Sequence, residues 1–168
     1  VKIRNHIFNK PRDKWFTKGE MGSPGLYGRD KFDPGSKEYI VLTEGMYDAP
    51  AVYEMLRGKS VAAVSVTSSG QARRDCIQDW EYINSFKKIV LAFDNDDAGR
   101  DATKAVAPLF DFNKVYQLRM EKRKDPTEYL ENYEKDDFLV LFESARRFAP
   151  DNIISTFSEI KQALHDSH

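Results

Sequence analysis

The sequence predicts an α/β fold built on a four-stranded, mainly parallel sheet. Three observations carry that expectation. Four short apolar runs recur between residues 38 and 118. Segments with helical spacing separate them, which is the pattern of βαβ units. Acidic residues gather where three of the runs stop, and in parallel sheets ligands collect at the carboxyl ends of strands.

The elements follow in order. Residues 1–37 are rich in Gly, Pro and Lys and lack clear periodicity, with turns at Gly22-Ser23-Pro24-Gly25 and Asp33-Pro34-Gly35. Tyr39–Thr43 (YIVLT) reads as a buried strand, and Asp48–Leu56 as a helix ending near Gly58. Val61–Val66 is a second strand. Gln71–Phe86 has helical spacing through Ile77, Trp80 and Ile83. Lys88–Phe93 is a third strand, Asp97–Leu109 a helix, and Lys114–Leu118 a fourth strand. Asp136–Phe148 sets Phe138, Leu141, Phe142 and Ala145 on one helical face, and Pro150 stops it. Thr156–Leu164 opens with a capping box, Thr156-x-x-Glu159, and carries a narrow stripe of Phe157, Ile160 and Leu164. Three stretches are therefore expected: a basic segment over 1–37, the α/β domain over 38–149, and a linker helix within 150–168.

Composition narrows the classes. With 168 residues, 40% hydrophobic and 32% charged, the chain has material for one cored domain. No apolar run is long enough to span a bilayer, and no signal peptide opens the chain. Cys76 is the only cysteine, which excludes an internal disulfide and a cysteine-based zinc site. A cytoplasmic protein with no membrane partner is expected.

The overall charge of −1 hides an asymmetry. Residues 1–32 hold eight lysines and arginines against three acids, a net of +5, with Phe8, Trp15, Phe16, Tyr27 and Phe32 interleaved. Basic residues among stacking rings suit single-stranded nucleic acid. A solvated basic face over a small core would look the same.

The stretch LAFDNDDAGRD, Leu91–Asp101, holds four carboxylates directly after an apolar run. Unpaired, they would repel one another and raise each other's pKa. Glu44 ends the first strand, Asp94-Asn95-Asp96 follows the third, and Asp125 follows the fourth. Three strand ends thus deliver carboxylates to one sheet edge. Hard oxygen ligands of this kind suit Mg²⁺ or Mn²⁺. Glu44, Asp94 and Asp96 are expected to converge within one cation's reach, with Asp125 completing the acidic rim. Asp97 and Asp101 read as residues of one solvated helix face, and Asp48 opens a helix. Gly58-Lys59-Ser60 imitates the tail of a phosphate-binding loop, but Tyr53 stands where its first glycine belongs.

The residues EGMYDAPAV (Glu44–Val52) and LAFDNDDAGRDA (Leu91–Ala102) resemble the two signature motifs of the Toprim domain. That domain is shared by bacterial-type primases, topoisomerases, small RNA-maturation nucleases and recombination proteins. The resemblance implies a Rossmann-like Toprim fold whose glutamate and D-x-D pair bind Mg²⁺. Asp94-Asn95-Asp96 with Ala98-Gly99-Arg100 is the primase style of the second motif. FTKGE (Phe16–Glu20), LYG (Leu26–Gly28) and KDPTEYL (Lys124–Leu130) resemble segments around the primase Toprim domain. APDNII (Ala149–Ile154) resembles the start of the linker in phage primase–helicases. Thr127 departs from the pattern, because bacterial primases usually carry a second aspartate there.

The resemblance implies metal-dependent RNA primer synthesis on a single-stranded DNA template from ribonucleoside triphosphates. Residues 1–37 would be part of the primase polymerase subdomain, and 150–168 would lead to a hexameric replicative helicase, fused in a longer, phage-encoded protein. Asp94 and Asp96 would hold metal, Glu44 would be a ligand or general base, and Asp125 a further ligand. Arg12, Lys14, Lys18 and Asp48 would contact nucleotide or nucleic acid. Two rivals use the same sequence features. One is a small Toprim nuclease acting through water, and the other is a non-catalytic Toprim binding module.

Overall fold

A computed structural model describes residues 2–4, 15–17 and 25–149. Two short strands, β1 (Lys2–Arg4) and β2 (Trp15–Thr17), pair antiparallel with Ile3 opposite Phe16. The main body holds β3 (Tyr39–Thr43), β4 (Val61–Ser65), β5 (Lys88–Ala92), β6 (Val115–Gln117) and β7 (Arg146–Arg147) in one sheet of order β4-β3-β5-β6-β7. The first four are parallel, and β7 runs antiparallel to β6. The four expected strands are all present, and a fifth closes the β6 edge.

The helices are α1 (Asp48–Met55), α2 (Ala72–Gln78), α3 (Trp80–Asn84), α4 (Asp97–Val106), α5 (Pro126–Glu131) and α6 (Lys135–Glu143). Alternate strand residues point to opposite faces, so the sheet supports two cores. Ile40, Leu42, Ile89 and Leu91 pack with Cys76, Ile83, Ala102 and Val106 of α2–α4. Val41, Ala63 and Val90 pack with Val52 and Met55 of α1, Tyr129 of α5 and Phe138 of α6. Both faces being covered, the strands read as continuous apolar runs.

The connection through α1 carries the chain from β3 outward to β4. The connection through α2 and α3 brings it back past β3 to β5. The crevice between β3 and β5 is therefore the topological switch point, where ligands bind in open α/β sheets. Thr43 stands opposite Ala92 in the register, so Glu44 and Asp94 leave adjacent strands at nearly the same level.

Three differences from the sequence expectation have physical causes. The segment Gln71–Phe86 is not one helix: a 3-10 turn covers Ser69–Gln71, and Asp79 separates α2 from α3. Asp79 is buried and accepts from Leu26 N at 2.9 Å and from the Arg29 guanidinium, partners fifty or more residues away. The helix expected over Asp136–Phe148 ends at Glu143. Residues 146–147 join the sheet instead, and Phe148 N donates to Val115 O at 2.9 Å. Finally, α5 occupies a stretch after the fourth strand to which the sequence reading assigned no helix. Pro126 sits at its first position, where the missing N–H costs nothing. The helix expected over Thr156–Leu164 lies outside the described residues.

Candidate active site

The β3 exit is a tight turn. Thr43, fully buried, directs Oγ1 toward Val64 O at 3.3 Å, which holds the strand end against β4. Glu44 follows, and its Oε2 is buried with no hydrogen-bond partner. Gly45 N donates to Asp48 Oδ2 at 2.9 Å, while Asp48 N returns a bond to Gly45 O at 3.0 Å. A Cβ at position 45 would run into the Asp48 carboxylate, so the turn needs glycine.

Asp48 is 6% exposed. Its Oδ1 accepts from Thr127 Oγ1 at 2.5 Å and from Thr127 N at 3.3 Å. Burial pushes its pKa up, the Thr127 hydroxyl lowers it, and the neighbouring Asp125 charge adds to the rise. The structure sets Asp48, expected to contact nucleotide or nucleic acid, between Gly45 and Thr127. Asp48 ties the β3 exit to the N-terminus of α5.

The β5 exit is built differently. Asp96, in extended backbone, caps α4 by accepting from Gly99 N at 3.0 Å. Gly99 is required there because a Cβ would collide with the Asp94 carbonyl oxygen. Asn95 N donates to Lys124 O at 3.0 Å, which joins this loop to the segment after β6. The Lys124 ammonium then lies 3.1 Å from Asp94 Oδ2 and 3.3 Å from Asp96 Oδ2.

The two carboxylates respond in opposite directions. Burial, then the Glu44 charge, push Asp94 up to about 6 despite Lys124. The Gly99 N–H, then Lys124, hold Asp96 below the usual carboxylate range. Asp94 and Asp96 raise Lys124 in turn.

Asp125 caps α5, accepting from Glu128 N at 2.9 Å, and Glu128 Oε2 accepts from Lys124 N at 3.0 Å. Among the described residues, no three His, Cys, Asp or Glu side chains close on one metal position. The expected ring of Glu44, Asp94 and Asp96 is therefore not formed, and Asp125 is placed as a helix cap. The reason is visible in the partners: Lys124 and the helix termini of α4 and α5 take up the carboxylates. What the structure does bring together is Asp94 and Asp96 around one cation, with the Glu44 charge acting on Asp94. Arg12, Lys14 and Lys18 lie outside the described residues. Sequence reasoning passed over Lys124 and Thr127 as site residues. The signals were their place in KDPTEYL, beside an acid expected at the same edge, and the departure of Thr127 from the aspartate usual there.

The strand order, the glutamate after the first parallel strand and the D-x-D after the third define a Toprim-type domain. The Toprim-like family matches residues 41–130, and the chain belongs to it. It is 31% identical over 164 residues to a DNA helicase/primase of Enterobacteria phage T3, covering 94% of this chain and 28% of that protein. It is 29% identical over 146 residues to a DNA primase of Aquifex aeolicus, covering 82% of this chain and 26% of that one. The chain thus spans about a quarter of the length of these relatives. In a structure of bacteriophage T7 lagging-strand DNA polymerase interacting with primase domains bound to an RNA/DNA hybrid and dTTP, the fold matches with a TM-score of 0.69 at 28% identity. The match covers 82% of this chain and 69% of that one. Among the described residues, no helix is long and apolar enough to cross a membrane.

Proposed function

We propose that this chain is the catalytic core of a primase, which joins ribonucleoside triphosphates into RNA primers on a single-stranded DNA template. One observation carries the reading. In a Toprim-like chain resembling a helicase/primase, Asp94 and Asp96 share a single cation position at the switch point between β3 and β5.

The residues fit a divalent ion. Mg²⁺ needs only one or two carboxylates and keeps waters for substrate phosphates. The Lys124 ammonium marks a point that both carboxylates reach, and Glu44 Oε2 is a buried acceptor without a partner. Asp94 and Asp96 would hold Mg²⁺ or Mn²⁺, which when bound neutralises triphosphate charge and lowers the pKa of a coordinated hydroxyl. In primer extension the 3′-hydroxyl of one ribonucleotide attacks the α-phosphorus of the next, and the bond to pyrophosphate breaks. Glu44, whose Oε2 is a buried acceptor without a partner, would take the hydroxyl proton or serve as a further ligand. The Asp48–Thr127 bond orients the β3 exit against α5, so positioning, the main demand of phosphoryl chemistry, is built into the scaffold.

Arg12, Lys14 and Lys18 belong to the basic lead and supply charge for template or triphosphate. A hexameric replicative helicase, fused beyond residue 168, is the natural partner, since the T3 relative is named a helicase/primase. The test is incorporation of labelled ribonucleotide on single-stranded DNA with Mg²⁺ or Mn²⁺, beside cleavage of the same strand. Primer products without cleavage are expected. Cleavage without incorporation would transfer the site to the nuclease reading.

A further inference from the structure

We propose that Lys124 is the resident counter-cation of the Asp94–Asp96 pair, that it surrenders those carboxylates when a divalent ion loads, and that its freed ammonium takes a phosphate oxygen of the incoming nucleotide. The identity of the substrate rests on the primase reading; the exchange rests on geometry. Lys124 Nζ lies 3.1 Å from Asp94 Oδ2 and 3.3 Å from Asp96 Oδ2. A divalent ion on the same two oxygens would occupy the space between them. Two cations cannot share it, because they repel at such range and Mg²⁺ draws its ligands in to about 2.0–2.1 Å.

The side chain is free to leave while the residue is not. Lys124 is 52% exposed at its side chain, against 13% for Asp94. Its backbone is held through both its N–H and its C=O, with N donating to Glu128 Oε2 at 3.0 Å and O accepting from Asn95 N at 3.0 Å. Only the four-carbon stem swings, and the ammonium stays within a side-chain length of the metal position. A triphosphate arriving with its metal carries several negative charges to that place. A compact ammonium with three rotatable donors suits such oxygens. One lysine thus neutralises the carboxylates before the substrate arrives and the substrate afterwards.

The 168-residue chain and its Lys124→Met and Lys124→Gln variants decide the matter. Melting is followed in EDTA and in saturating Mg²⁺. Mn²⁺ binding is titrated by electron paramagnetic resonance, and ATP binding is measured in saturating Mn²⁺. Both variants should melt lower than the parent in EDTA, and the deficit should vanish in Mg²⁺. Mn²⁺ should bind on the order of tenfold tighter and ATP on the order of tenfold weaker, the scale of one charge at contact range. A melting deficit of equal size in EDTA and Mg²⁺ would make Lys124 a purely structural residue and overturn the proposal. Unchanged Mn²⁺ or ATP affinity in both variants would do the same. If metal and ATP bind as described but no primer is made, the primase reading fails and the exchange stands.

Discussion

The β3 and β5 exits place aspartates on one edge of one sheet and treat them in opposite ways. Asp48, at the β3 exit, is buried and receives neutral donors, from Gly45 and Thr127, and its pKa rises. Asp96, at the β5 exit, is more open, caps α4 and faces the Lys124 ammonium, and its pKa falls. Asp94 lies between the two cases: it has the same ammonium, yet burial and Glu44 win, and it rises to about 6. Neutral hydrogen bonds do not offset burial of a charge, whereas a helix terminus with a cation does where solvent still reaches. Asp48 serves the scaffold at the first exit, and the second gathers its carboxylates around a cation.

Removing the charge at the second exit should have the largest effect. Asp96→Asn keeps a side-chain oxygen for the Gly99 N–H but halves the carboxylates around the cation position. Metal-dependent nucleotidyl transfer should fall by on the order of 10²–10³, the scale of losing one electrostatic contact to the transition state. The fold should persist. Circular dichroism beside the primer assay tests this, and near-full activity would break the distinction between the exits.

The pH dependence sharpens it. A carboxyl raised from 3.8 to about 6 favours the protonated native state, so the metal-free protein should lose stability as pH climbs through that window. The loss from Asp94 amounts to about 3 kcal/mol at full development. Asp96 has the opposite sign: its lowered pKa contributes stability above the ordinary carboxylate range, lost as pH falls through its folded value. Denaturant melts in EDTA between pH 4 and 7 should show a decline that Asp94→Asn flattens. An unchanged slope in that variant would reassign the titration.

At the first exit the effect should be smaller and confined to structure and positioning. Thr127→Val removes the hydroxyl from Asp48 and leaves the carboxylate its two backbone donors. A loss of about 1–2 kcal/mol is expected from denaturant unfolding, with Thr127→Ser restoring most of it. Smallest of all is Lys59→Ala. Its ammonium meets Glu143 at 2.7 Å on the exposed surface, far from the carboxyl edge. Stability should change by less than about 1 kcal/mol and nucleotide affinity not at all. Weakened ATP binding would revive the phosphate-loop reading of Gly58-Lys59-Ser60.

How much of this was legible follows from the range of the interactions. The four parallel strands were readable because both sheet faces are covered and each run, such as YIVLT, is apolar without alternation. Asp96 as the residue before a helix, and Glu44 and Asp94 as strand-end acids, were readable from neighbours in the chain. The break at Asp79 was not, since its partners Leu26 and Arg29 lie 53 and 50 residues away. Nor was the Asp48–Thr127 bond, across 79 residues. The edge strand Arg146–Arg147 is two exposed residues with no pattern to read. Lys124 looked like any lysine beside a turn; only the Asn95 to Lys124 backbone bond sets it among carboxylates.

The anchoring of Leu26–Arg29 makes that segment a clasp on the sheet. Tyr27 bridges Ser65 of β4, and Ser65 lies level with Thr43 of β3, so the segment is pinned about 10 Å from the Glu44 exit, two strand spacings away. Asp79 grips Leu26 on one side of that bridge and Arg29 on the other. Pulling Leu26–Arg29 away would therefore break the Asp79 grip and the β4 pairing together, so the segment works as a clasp that closes as one unit.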